Sequence, residues 1–274
     1  VIRSDLDFFT LDIDIKLLRY PWDIIKHNPL FLEFDLKALS NLSDNENEKF
    51  TVLGKNNIYI EKNTTIISST IFDTRKGNIY IGENVEITGF SSLEGPTYIG
   101  NDTILHNADI RAFTTIGENC RISGEVASSI FYHRSNKAHT GFIGHSYISE
   151  WANLGAMTTN SNLKNNYSNV YYNDEFGNKI DSGTNKSGVI IGDHTKLGIQ
   201  SCINTGSIFG IFCNLFGGSL LPKYLPNFTW GDGKENQIYL VTKALDTAKL
   251  VMERRNIDIS REYKNLIIKI YNDK

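Results

Sequence analysis

Two histidines, His139 and His145, one tryptophan, Trp151, and a series of amides ending at Asn162 fall within "NKAHTGFIGHSYISEWANLGAMTTNSN", residues 136–162. An imidazole with an unperturbed pKa of about 6.5 can take a proton from an attacking amine near neutrality, and amide side chains can orient a polar substrate. Those residue types are the equipment of a base-assisted group transfer. The competing reading is structural, because a lone histidine in a turn more often packs than reacts.

The elements that must hold these groups follow a period of six. Ile191, Leu197, Ile203, Phe209 and Leu215 keep one phase, with small residues Thr195, Ser201, Ser207 and Cys213 four places later. Ile104, Ile110, Ile116 and Ile122 repeat the pattern with Ala108, Thr114 and Cys120, as do Ile60 and Ile66 with Thr64 and Thr70, and Ile148 and Leu154 with Ala152 and Thr158. Neither a helix nor an ordinary strand has this period. A coil of short strands, three to a triangular rung, places every aliphatic residue inside and pairs successive rungs as parallel sheets. The expected fold is therefore mainly β: a left-handed parallel β-helix of hexapeptide repeats over residues 51–221, with a C-terminal helical segment.

Residues 162–188 are polar, rich in Asn and Gly, and read as a loop thrown out of the coil. Beyond Pro222 the period stops; Asp232 and Glu235 have the spacing of a capping box ahead of a helix, and a second helix follows Ser260, so residues 222–274 form a two-helix extension. Residues 1–50 read as a linker or the remnant of a preceding domain. A short helix is expected from Asp35, and "SDNENEKF" is expected as solvated linker.

Composition narrows the function classes. The 274 residues include 40% hydrophobic and 22% charged side chains, which is enough for a sizeable core. A formal charge of -3 with no basic stripe argues against nucleic acid, and no apolar run approaches the roughly 20 residues of a membrane span. Cys120, Cys202 and Cys213 are odd in number and lack metal-ligand spacing, so no metal site is expected, and a reducing, cytoplasmic location is. Cys120 and Cys213 occupy small-residue slots of the repeat and are assigned to packing.

The repeats, together with "YPWD", "LEGPTYIG", "HTGFIGHSYI", "NLGAMTTNSNLKNNY", "IGDHTKLGI" and "PKYLPNFTWG", carry a likeness. The chain resembles the acetyltransferase half of the bifunctional N-acetylglucosamine-1-phosphate uridylyltransferase/glucosamine-1-phosphate acetyltransferase family, and more narrowly its sugar-nucleotidyltransferase-like subfamily. The resemblance implies acetyl coenzyme A as cosubstrate and a small-molecule sugar acceptor. It also implies a homotrimer whose sites lie between coils; a monomeric mass in gel filtration would count against that.

By the same resemblance His139 is the general base that deprotonates the sugar amine. Asn153 contacts the sugar, Arg111 its phosphate, and Asn162 and Lys164 lie near the acceptor. Ala156, Ile199 and Gly217 line the coenzyme. Three positions depart from the family: Phe142 stands for a tyrosine, Ala127 for a phosphate-binding lysine, and Ile199 for a serine. Lys137 or Lys164 is expected to replace the missing lysine. His145 is read as a turn residue facing solvent or a neighbouring subunit, His194 as solvated, and Trp151 as packing against a neighbouring coil. Two functions are consistent with these residues: an acyl-coenzyme-A-dependent N-acyltransferase acting on an amino sugar phosphate or nucleotide-linked amino sugar, or a non-catalytic trimerisation and ligand-binding module of a sugar nucleotidyltransferase.

Overall fold

A computed structural model describes residues 15–39 and 50–273, so the expectation for "SDNENEKF" lies almost wholly outside the described residues. The six-residue pattern folds as a left-handed parallel β-helix with three faces. Face I stacks nine short parallel strands, from Ile58–Ile60 through Thr114–Ile116 and Val189–Ile191 to Tyr224–Leu225. Face II runs from Thr65–Ile66 through Asn136–Lys137, Asn153–Leu154 and Lys196–Leu197 to Thr229–Gly231. Face III includes Ser92–Glu94, Phe142–Gly144 and Cys202–Ile203.

The aliphatic residues fill the lumen, where Ile116, Ile148, Ile191 and Leu215 are fully buried, and the small residues Thr195, Ser201, Ser207 and Cys213 are buried at the corners. The strict period fails in the middle of the coil. Ile99 pairs with Ile116 and Ile116 with Phe131, so these turns take 17 and then 15 residues rather than 18. The shortening puts Leu105, opposite Ile122, inside the lumen and turns Ile104 outward, against the sequence expectation.

Parallel pairing also outlasts Pro222. Tyr224–Leu225 and Thr229–Gly231 add another rung, and Asn236–Ile238 closes its edge antiparallel. Asp232 therefore does not start a helix: its Oδ1 accepts from the Lys234 and Glu235 N–H groups in the intervening tight turn, at 2.8 and 2.9 Å. The first C-terminal helix begins later, at Val241.

Among the described residues three helices decorate the coil. α1 (Asp23–Ala38) is longer than the helix expected from Asp35 and contains Pro29. The Asp23 carboxylate secures its start by accepting from the Arg19 and Tyr20 N–H groups, and Ile25, Leu32 and Leu36 form one buried stripe. Asn28 binds the corner before Thr114–Ile116 through the Phe113 carbonyl and the Thr115 hydroxyl, both at 3.0 Å. The 162–188 loop is no simple bulge: its antiparallel pair Tyr171–Asn173 and Lys179–Asp181 buries Tyr172 against Trp22, ring on ring at 4.1 Å. α2 (Val241–Glu253) and α3 (Arg261–Asn272), the latter capped by Ser260 Oγ, cover the I–II corner at the C-terminal end. No described helix is long and apolar enough to cross a membrane.

Candidate active site

His139 follows the face II strand Asn136–Lys137 and is exposed at the II–III corner. Two devices fix its backbone. Lys137 takes an inward slot that a hexapeptide repeat normally gives to an aliphatic residue, and its Nζ donates to the carbonyls of Ser123 (2.6 Å) and His139 (2.9 Å). Burial pushes the Lys137 ammonium down to about 8. Gly141, at φ 135°, lies so close to the next rung that a Cβ would stand 2.1 Å from the Thr158 carbonyl oxygen, so only glycine fits. Lys137 is thereby spent inside the coil and does not stand in for the lysine missing at Ala127.

The corner stacks in register. Met157 N donates to Thr140 O at 2.8 Å and Gln200 N to Ala156 O at 2.7 Å, so His139 and Thr140 sit one rung from Ala156 and Met157, with Ile199 and Gln200 beyond. Gly217, at φ 116°, continues this edge next to Asp232. The Ala156 N–H has no acceptor among the described residues. Met157, Ile199 and Phe216 form an exposed apolar edge, Ile199 at 68% of its full exposure. Four of the residues singled out in the sequence, His139, Ala156, Ile199 and Gly217, thus come together on one corner.

The other candidates divide between the two adjoining faces. Asn153 points outward on face II, in register between Asn136 and Lys196. Phe142 projects from face III opposite Glu125, its ring close to Gly144 and Asn162. Asn162 lies against His145, amide nitrogen to Nδ1 at 2.9 Å, and burial together with the Lys186 charge pushes that imidazole down to about 4. His145 is thus a neutral, largely buried acceptor rather than a group facing solvent. Arg111 is engaged by Asp109 at 2.8 Å and by Glu125 at 3.6 Å, which offsets its charge toward any anion. Lys164 donates to Asn169 O and lies 4.8 Å above the Tyr171 ring, so it serves the 162–188 loop.

Two further expectations change under α2 and α3. Trp151 is buried by its own chain, between the Arg134 guanidinium and the His194 ring. His194 is 3% exposed, stacked on Phe212 at 4.7 Å, and neither ring nitrogen has a partner among the described residues. Burial drives it down to about 3, with Lys196 adding to the shift. Both corrections have one cause, the docking of helices distant in sequence onto what would otherwise be an exposed corner.

The coil is a hexapeptide-repeat parallel β-helix. Among known proteins, the chain is 32% identical over 184 residues to the bifunctional sugar-1-phosphate nucleotidylyltransferase/acetyltransferase of Sulfurisphaera tokodaii, covering 62% of this chain and 45% of that protein. It is 30% identical over 134 residues to the bifunctional protein GlmU of Methanocaldococcus jannaschii (48% and 32% covered) and 27% over 173 residues to that of a Picosynechococcus (62% and 30%). The chain spans less than half the length of each of these relatives. No protein-family profile matches it. Similar solved structures include the polysialic acid O-acetyltransferase OatWY (17% identity, TM-score 0.33, 69% and 87% covered) and LpxA from Acinetobacter baumannii (15%, 0.32, 69% and 77%).

Proposed function

We propose that the chain is an acyl-coenzyme-A-dependent N-acyltransferase for an amino sugar phosphate or nucleotide-linked amino sugar, with His139 as general base. His139 takes a proton from the sugar amine as nitrogen attacks the acyl carbonyl. The C–N bond forms, the C–S bond breaks, and the proton passes to the departing thiolate. The single observation supporting this most directly is the corner column, where His139 lies one rung from an Ala156 N–H that lacks an acceptor. Such a donor can stabilise the oxyanion formed between those two steps. The exposed apolar edge at Met157, Ile199 and Phe216 suits the aliphatic arm of the thioester and the wall of a second coil in a homotrimer. Asn153 then contacts the sugar.

The test is release of free coenzyme A from acetyl coenzyme A with a panel of amino sugars and their phosphates, on protein whose mass in solution is measured alongside. His139→Ala should lower the rate by about 10² to 10⁴ while leaving stability within about 0.5 kcal/mol, because the ring is exposed. No acylated amine, or full rate in His139→Ala, would sink the catalytic reading. One observation favours the second reading, a non-catalytic ligand-binding module: Arg111 is already paired with two carboxylates, and Ala127 supplies no cation in its place.

A further inference from the structure

Face II carries a cleft of about 340 Å³ beside the corner column, and four of its nine lining residues are arginines. Arg121 projects from the coil, in register with Asn136 and, one rung further, Asn153; Arg134 comes from the I–II corner; Arg254 and Arg255 come from the end of α2. Ala138, the neighbour of His139, and Trp151 complete the wall. The lining contains no carboxylate.

These guanidiniums are poorly compensated. Glu150 pairs with Arg134, and among the described residues no carboxylate pairs with the other three. Among the described residues the Arg121 guanidinium donates only to the carbonyls of Asp102 and Cys120, and that of Arg255 only to the Asn136 amide oxygen, at 3.4 Å. Arg134 Nε is buried without a partner. Burial and the like charges of Arg121 and Arg254 hold Arg255 below its usual range. Like charges gathered in a half-closed cleft repel unless a counter-charge enters, and planar guanidinium forks match the oxygens of a phosphoryl group.

We propose that this cleft is a binding site for a phosphate or diphosphate group of a small-molecule ligand. Its volume, near the lower end for ligand pockets, admits a phosphate or diphosphate but not an entire coenzyme or nucleotide sugar, whose remaining parts extend outward. Asn136 and Asn153 supply neutral amides on the floor of the cleft, next to the charged wall. The site does not depend on acyl transfer: it stands even if His139 is not a base.

Calorimetric titration tests it with orthophosphate, pyrophosphate, uridine diphosphate, coenzyme A and dephospho-coenzyme A, each at low and high salt. The paired substitution Arg254→Gln and Arg255→Gln, in the turn that follows α2, removes both charges while keeping long polar side chains and should weaken the phosphate-bearing probes at least tenfold. Lys62→Gln with Arg75→Gln, the same change of charge far from the cleft, should not. Preference for coenzyme A over its dephospho form assigns the site to the coenzyme's terminal phosphate; equal binding of those two with competition by uridine diphosphate assigns it to a diphosphate linkage. The proposal is overturned if no probe binds at millimolar concentration, or if the arginine variant, with helical content intact, binds as the wild type does. His139→Ala provides the separation: it should lower turnover by about 10² to 10⁴ and leave phosphate binding unchanged.

Discussion

The I–II corner is built twice from one backbone geometry and two kinds of side chain. Toward the N-terminal end it is occupied by Asn63, Asn84, Asp102 and Asn119, and toward the C-terminal end by Trp151, His194, Phe212 and Phe228, all with φ between 54° and 59°. That left-handed conformation costs most non-glycine residues roughly 1 to 2 kcal/mol, and Asn and Asp tolerate it because their short side chains bond locally. Three of the first series follow that rule: Asn63 donates to Asn84 at 3.2 Å and Asn84 to Asp102 at 3.1 Å, forming an exposed polar ladder, whereas Asn119 Oδ1, one rung on, is buried without a partner among the described residues. The second series breaks it. His194 stacks on Phe212 and Phe212 on Phe228 at 5.3 Å, with Phe228 edge-on to Tyr271 of α3. Burying one such ring is worth about 1.5 to 3 kcal/mol and each aromatic pair about 0.5 to 1.5 more, so packing exceeds the backbone cost. Where helices cover a corner, ring burial chooses the residue; where water covers it, the backbone does.

The largest effect should come from Phe228, which is fully buried. Phe228→Ala is expected to cost about 3 to 5 kcal/mol in denaturant unfolding. Phe228→Asn, which suits the backbone better, should fall nearly as far; if it proves close to neutral, backbone strain rather than ring burial governs the aromatic half.

Acid should act next, and of the two halves of this corner on the aromatic one. The folded-state value of His194, about 3, lies below the ordinary imidazole value of 6.5, so the unfolded chain binds more protons and stability falls as pH drops from about 6.5 toward 3. Between pH 7 and 5 this amounts to about 2 kcal/mol. His194→Phe should about halve that part of a Tm-against-pH profile, leaving a slope of similar size from His145, which is lowered to about 4 chiefly by burial and with the same sign.

The smallest change belongs to the polar ladder. Asn84→Ala should cost about 1 to 2 kcal/mol, chiefly from left-handed backbone, and Asn84→Gly only a few tenths. Equal losses for the two would mean that the side-chain ladder matters more than the conformation.

The lumen was legible because its rule is local: one aliphatic residue every six places reads directly from Ile191 to Leu215. Ile104 defeated it because a turn shortened to 17 residues leaves the local pattern intact while moving the inward slot to Leu105. The helix start after Ser260 was visible for a similar reason, since the hydroxyl and the Tyr263 N–H it binds are three residues apart. Asp232 and Glu235 have the same spacing, but the strand paired with Thr229–Gly231 turns that spacing into a hairpin. Within the site, His139, Ala156, Ile199 and Gly217 were singled out by the family resemblance, and the stacking of rungs is what places them on one corner.

What the sequence determined by itself is the coil, through a periodicity that only a stack of short parallel strands satisfies. Tertiary structure decided whatever depends on segments far apart in the chain. The fate of His194 and Trp151 was set by α2 and α3 closing over them, and that of Lys137 by an inward slot. The basic cleft belongs to the same class: Arg121 and Arg134 lie more than a hundred residues before Arg254 and Arg255, and a chain of net charge -3 gives no sign of them until a helix docks. Periodicity records what each residue faces within its own rung; charge convergence depends on which distant surface comes to lie against it.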